Sequence, residues 1–223
     1  ALHRAGVTCV LDRAGVTGAD GASHNGVWDI AMCSMIPGLR LAAPRDEQTL
    51  RARLREALDV DDAPTVIRYR KGSLPEPMPA LRSVGGGDIL FDEAVADSSA
   101  RLLIVGTGAC APDAIEAARR LCSDGVSVTV ADPQWMIPIC PDLATLAWDY
   151  DCVVSVEDGI VQGGFGWSLR DAVAETGVPV RCLGVPQGFP EHGDRAAMIA
   201  QFGFDADGIE RAARELVERI GER

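Results

Sequence analysis

With 223 residues, 47% of them apolar, the chain is long enough to bury a sizeable core as one large domain or two small ones. Its 33 acidic residues against 21 basic ones leave a formal charge of -12, which argues against nucleic acid or an anionic membrane surface as the main partner. No apolar run approaches the roughly 18 residues of a membrane span, the opening ALHRAGVTC lacks a secretion-signal pattern, and seven cysteines without CxxC spacing read as reduced thiols of a cytoplasmic protein.

Along the chain, GVTCVL reads as a short buried strand that feeds a glycine-rich loop, DRAGVTGADGASHNG. A helix is expected from His24 or Asn25 through VWDIAMCSM, stopped by Pro37 and Gly38. LRLAAP is a second strand. Asp46 is a good N-cap for EQTLRARLREAL, in which Leu50, Leu54 and Leu58 predict one buried stripe. PTVIRYRKG is a third strand ending in basic residues and a glycine. This alternation of strand and helix is the rhythm of a parallel sheet covered by helices.

The prolines and the GGG run of SLPEPMPALRSVGGGD, residues 73–88, suggest an interdomain crossing. A fresh series follows: strand RLLIVGTG, a helix from Pro112 to about Cys122, strand VSVTVAD, a helix around Leu143 to Ala147, strand DCVVSVED, a helix from about Gly166 to Ala174, and strand VPVRCLGV. Asp207 and Glu210 have capping-box spacing for a last helix whose inner face is Ile209, Ala213, Leu216 and Ile220. The expectation is two three-layer α/β/α units with mainly parallel sheets: an incomplete one over 1–72, a crossing over 73–88, and a complete one over 89–223.

Ligands of parallel α/β sheets collect at the carboxyl ends of strands. Arg13 follows the first strand and Lys71 the third, so the two cations can clamp a phosphate if those strands are neighbours, or else stand as plain surface charges. Within the loop, Asp20 and His24 sit among glycines that allow close backbone approach. An imidazole can exchange a proton near neutral pH and a nearby carboxylate can orient it, although the same residues serve equally well in a turn where Asp20 and Asn25 satisfy backbone groups. His3, His24 and His192 are too few and too isolated for zinc. VGTGACAPD misses the full dinucleotide pattern, with Asp132 as its one candidate ribose acid. EDGIVQGGFGWSLRDAV, where Glu157 and Asp158 precede a glycine turn, suits a packing or subunit contact as well as a ligand site.

DRAGVTGADGASHNGVWDIA, IPG, APRDEQTLRARLREAL, PTVIRYRKG, GVSVTVADPQW, VSVEDG with GGFG, and VPQGF occur in the order and spacing of one known family. Over essentially its whole length the chain resembles 1-deoxy-D-xylulose-5-phosphate synthase, most of all the actinobacterial members. The resemblance implies a thiamine-diphosphate- and Mg2+-dependent, transketolase-like homodimeric transferase. Such an enzyme joins pyruvate to D-glyceraldehyde 3-phosphate with loss of carbon dioxide, for isoprenoid and thiamine precursor supply. By motif position, Arg13 and Lys71 match the groups for the aldehyde's phosphate, and Asp20 and His24 the polar pair beside the reacting carbons. The chain matches the end of the pyrimidine-binding domain plus the C-terminal domain. The principal cofactor and metal ligands are therefore expected upstream, in an N-terminal portion, with no cofactor or metal residue assigned here and the chain inactive alone.

Departures from the family pattern leave room for another reading. RYRKG stands where RYPRG is usual, Ile137-Pro138 and Cys140 replace a lysine-proline and an aspartate after Trp135, and EDG replaces EDN at Glu157 to Gly159. The alternative is a divergent or non-catalytic transketolase-like assembly partner.

Overall fold

A computed structural model describes residues 1–73 and 75–222, so Leu74 of the expected crossing and Arg223 at the end of the second unit lie outside the described residues. Two sheets form, as expected. The first contains β1 (Thr8–Leu11), β2 (Arg40–Ala42) and β3 (Thr65–Arg68), with β3 central and parallel to both neighbours. The second is built on β6 (Arg101–Gly106), β7 (Ser127–Asp132), β9 (Cys152–Ile160) and β10 (Val180–Val185), all in parallel register.

Three strands were not anticipated. β4 (Arg82–Val84) and β5 (Gly87–Glu93) add to the β7 edge of the second sheet as an antiparallel hairpin. Nearly half of the expected crossing, from Arg82 on, is thus hairpin. Gly85 and Gly86 form its two-residue turn with φ of 47° and 89°, the left-handed pair that matches strand twist, so GGG is a hairpin signal and not a flexible link. β8 (Trp135–Ile137) runs antiparallel to β2 and closes the far edge of the first sheet. A segment from the second unit therefore completes the sheet of the first.

Alternation along β6 and β9 splits the core in two. Leu102, Ile104, Val154 and Val156 face one cluster together with α3 (Ala111–Ser123) and α7 (Ala206–Gly221). Leu103, Val105 and Val153 face the other, which they share with Leu41 and Val66 of the first sheet and with α1 (Asp29–Ser34), α4 (Pro141–Leu146) and α5 (Phe165–Ala172). The two units are thus fused through a common apolar core.

Helix boundaries differ from the sequence expectation for local reasons. His24 ends a 3₁₀ turn, Ala22–His24, and α1 starts only at Asp29. Between them the backbone is pinned as a bridge, with Gly15 and Gly26 exchanging N–H to O bonds of 2.8 and 2.9 Å. Helix α2 (Glu47–Leu58) has its Asp46 cap, bonded reciprocally with Thr49. Its inner stripe is Leu50, Leu54 and Ala57, whereas Leu58 is 67% exposed. α7 is capped by Asp205, whose carboxylate accepts from Gly208 N, and Asp207 instead pairs with Arg120 at 2.6 Å. α6 (Arg195–Phe202), with Asp194 as its cap, escaped the sequence reading. Among the described residues no helix is long and apolar enough to cross a membrane.

Candidate functional site

Because β1 and β3 are parallel neighbours, their carboxyl ends emerge together, tied by Tyr69 N to Leu11 O at 3.0 Å and Ala14 N to Tyr69 O at 3.1 Å. Arg13 and Lys71 are thereby brought to one place. Both converge on Asp20: Lys71 Nζ lies 2.6 and 2.9 Å from its two oxygens, and Arg13 Nη1 lies 3.7 Å away. The Lys71 hydrogen bond, with help from the Arg13 charge, holds the Asp20 carboxyl below the usual carboxylate range. Asp20 therefore engages cations and not backbone. Two cations and one carboxylate leave a net positive spot on an otherwise acidic chain. His24 is exposed, its Nδ1 3.0 Å from Ser23 Oγ, near enough for its charge to act on Asp20 but without a hydrogen bond to it.

The loop between these residues owes its shape to buried polar groups. Gly15, Gly18 and Gly21 take left-handed φ of 78°, 65° and 82°. Asn25 is buried and works as a hub: its Oδ1 accepts from Thr17 N at 2.8 Å, and its Nδ2 donates to Gly21 O at 3.1 Å and Pro190 O at 3.4 Å. Asp158, from the EDG segment, accepts from Val16 N at 2.9 Å and from Arg195 Nη2 at 2.7 Å. A sequence reading could flag Asp158 as a residue of interest but not find its partners, which lie far away in the chain.

The neighbouring acids are also engaged. Glu157 accepts from Phe165 N at 2.8 Å and Gly166 N at 2.9 Å, capping α5, and burial pushes its carboxyl up to about 7 against the pull of those two amides. Asp132 is fully buried against Arg45 at 2.9 Å, which removes it as a ribose ligand. Asp88 takes the other side of the same guanidinium at 2.8 Å. A cavity of about 270 Å³ lies beside this clasp, between the ends of β2 and β3 and the start of α3, and is lined among others by Arg45, Arg68, Arg70, Leu50 and Pro112. Arg45 and Arg68 are already paired, the latter with Asp29 at 2.7 Å. Among the described residues no group of three or more His, Cys, Asp or Glu side chains could hold a metal ion. All seven cysteines are free thiols.

Comparison with known proteins places this geometry. Residues 1–77 match the transketolase pyrimidine-binding domain and residues 93–209 the transketolase C-terminal domain. The chain is 49% identical over 208 residues to 1-deoxy-D-xylulose-5-phosphate synthase of Corynebacterium glutamicum, covering 92% of this chain and 33% of that protein. It is 47% identical over 225 residues to 1-deoxy-D-xylulose-5-phosphate synthase 2 of Streptomyces coelicolor, covering 100% and 35%. A solved structure described as a split gene transketolase, inactive beta4 tetramer, superposes with a TM-score of 0.81 at 25% identity, over 95% of this chain and 67% of that one. The chain spans about a third of the length of the curated relatives it matches. With both domain matches in order and homology along nearly all its length to actinobacterial 1-deoxy-D-xylulose-5-phosphate synthases, the chain belongs to the transketolase family.

Proposed function

We propose that this chain forms the substrate-phosphate side and the active-site edge of a 1-deoxy-D-xylulose-5-phosphate synthase, acting in the cytoplasm as part of a homodimer. The observation that carries the reading is the convergence of Arg13, Lys71 and Asp20 at the carboxyl ends of β1 and β3. In this reading Arg13 and Lys71 receive the phosphate of D-glyceraldehyde 3-phosphate, a fork and a point charge respectively. Asp20 bridges the two cations in the free state and yields them, or shares them, when the phosphate arrives. It is then free to accept a hydrogen bond from a substrate hydroxyl. His24, on the open side, can give or take a proton near the reacting carbons. Among the described residues no cluster of three or more His, Cys, Asp or Glu side chains would hold Mg2+; in this reading thiamine diphosphate and Mg2+ are bound by the N-terminal part of the protein.

Arg13→Ala in the full-length protein tests the reading. Loss of one charged hydrogen bond is worth roughly 1.5 to 3 kcal/mol, so kcat/KM for the phosphorylated aldehyde should fall by about one to two powers of ten while the KM for pyruvate holds. Equal kcat/KM for phosphorylated and unphosphorylated aldehydes in the parent would reduce both cations to surface charges. Asp20→Asn separates its two roles: a lower KM for the aldehyde marks competition with phosphate, and a lower kcat marks contact with substrate.

A second reading, a non-catalytic assembly partner, is supported by the likeness to the split gene transketolase chain, whose description is of an inactive tetramer. Calorimetric titration of the isolated chain bears on it. On either reading the chain alone binds thiamine diphosphate and Mg2+ negligibly, and only the synthase reading requires that the recombined N-terminal part restore binding and turnover.

A further inference from the structure

The N–H and C=O of Val16 are both held by one ion pair from the second unit. Val16 N donates to Asp158 Oδ1 at 2.9 Å, Arg195 Nη2 donates to Asp158 Oδ2 at 2.7 Å, and Arg195 Nη1 donates to Val16 O. The Asp158 carboxylate lies so close over Gly15 that a Cβ there would overlap it, which together with φ of 78° leaves room for glycine alone. Gly18 is crowded in the same way, since a Cβ on it would lie 2.6 Å from Gly193 O and 2.8 Å from Arg195 N. Asp158 is itself fixed from below, its main-chain oxygen accepting from Arg68 Nη2 at 2.9 Å. The Val16 side chain is buried in the core cluster of the second unit, which also holds Val156 and Met198.

Apart from the bridges of Ala14 and Gly15 to Gly26 this loop makes no regular ladder among the described residues, and three of its glycines take the left-handed φ that few other residues adopt. Asn25 ties the loop's far half together from within, at Thr17 and Gly21, whereas its near half, at Val16, is held from outside. Arg13 leaves the loop just before the held residue, and Asp20 and His24 just after it. We propose that Asp158 and Arg195 are positioning residues: they set the backbone at Val16 so that Arg13 and Asp20 keep the spacing that receives a substrate phosphate. The C-terminal unit then acts in the reaction without touching substrate, through one ion pair. The inference rests on the proposed synthase reading of Arg13, Lys71 and Asp20.

The test uses the full-length protein with thiamine diphosphate and Mg2+, as the parent and as Asp158→Asn, Arg195→Met and Arg195→Lys. Two readouts are taken, steady-state kinetics for each substrate and amide hydrogen exchange by peptide. Misplacing a binding group by about 1 Å can cost up to about a hundredfold, so Asp158→Asn and Arg195→Met should lose about ten- to a hundredfold in kcat/KM for the phosphorylated aldehyde. Their KM for pyruvate should stay within about twofold of the parent. Arg195→Lys keeps the charge but cannot bond Asp158 and Val16 O together as a planar fork, and should recover part of the loss. Exchange should quicken in the peptide spanning residues 14–19 and stay unchanged in β7. Unchanged exchange in that peptide overturns the proposal, as does a proportional rise of both KM values with faster exchange throughout the chain, which marks a general loss of stability. A parent without synthase activity sinks the site reading and the positioning role with it, and the exchange data then show separately whether the ion pair holds the loop.

Discussion

Arg45→Met probes the clasp that joins the two units. The Arg45 side chain is 4% exposed, its guanidinium lies between Asp88 Oδ2 at 2.8 Å and Asp132 Oδ2 at 2.9 Å, and its Nε donates to Met78 O at 2.9 Å. Methionine fills much of the same volume without the charge. Removing one partner of a buried ion pair costs about 3–5 kcal/mol, because the remaining charge stays buried. Here the lower end of that range applies, since Asp88 keeps Ser83 Oγ at 2.7 Å and Asp132 keeps Gln134 N at 3.2 Å. Burial already raises the Asp132 carboxyl, with Arg45 opposing it, so the variant raises it further. A carboxyl raised in the folded state stabilises below its unfolded pKa and loses that contribution as pH rises through the folded value. The deficit of Arg45→Met relative to the parent should therefore be largest, about 3 kcal/mol, near pH 8 and shrink toward pH 5. Urea unfolding followed by tryptophan fluorescence measures it, and a reduced slope would show that the units have come apart before they melt. Adding Asp132→Asn to Arg45→Met should recover much of the loss. A deficit below about 1 kcal/mol at pH 8, or one equal at both pH values, refutes the reasoning.

Glu157→Gln should invert the usual acid trend locally. The parent's carboxyl is raised from 4.5 to about 7 by burial, so its contribution is whole below 4.5 and lost as pH rises through 7. Across that window the parent should lose about 3 kcal/mol relative to the variant, and a parent-to-variant difference that is equal at pH 5 and pH 8 by urea unfolding counts against it. Gly15→Ala forces a left-handed alanine against the Asp158 carboxylate. Backbone strain of about 1–2 kcal/mol and overpacking of about 1–3 kcal/mol should lower the thermal midpoint by several degrees, and an unchanged midpoint in calorimetry would show that the loop shifts freely.

Much of this molecule is legible in sequence because its signals are local. The buried strands TVIR, RLLIVG and CVVSVEDGI are short apolar runs bounded by turns, and the Asp46 cap with its following helix is written in adjacent residues. TCVL is a strand as its apolar run suggests, but not a buried one, since it sits at the sheet edge with Cys9 and Val10 exposed. The order of those elements is enough to place Arg13 and Lys71 at the carboxyl ends of two strands. Local pattern also misled where one residue type serves two ends: GGG is read as a link but is a hairpin turn, and Asp207 has capping spacing but answers to Arg120. Only the tertiary structure decided that β1 and β3 are neighbours, which turns two separate cations into one site around Asp20. It alone paired Arg45 with Asp88 and Asp132, and closed Asp158 and Arg195 on Val16. A buried charge must find an opposite charge or a donor wherever the fold brings one, and such partners, separated by scores of residues along the chain, leave no periodicity for the sequence to display.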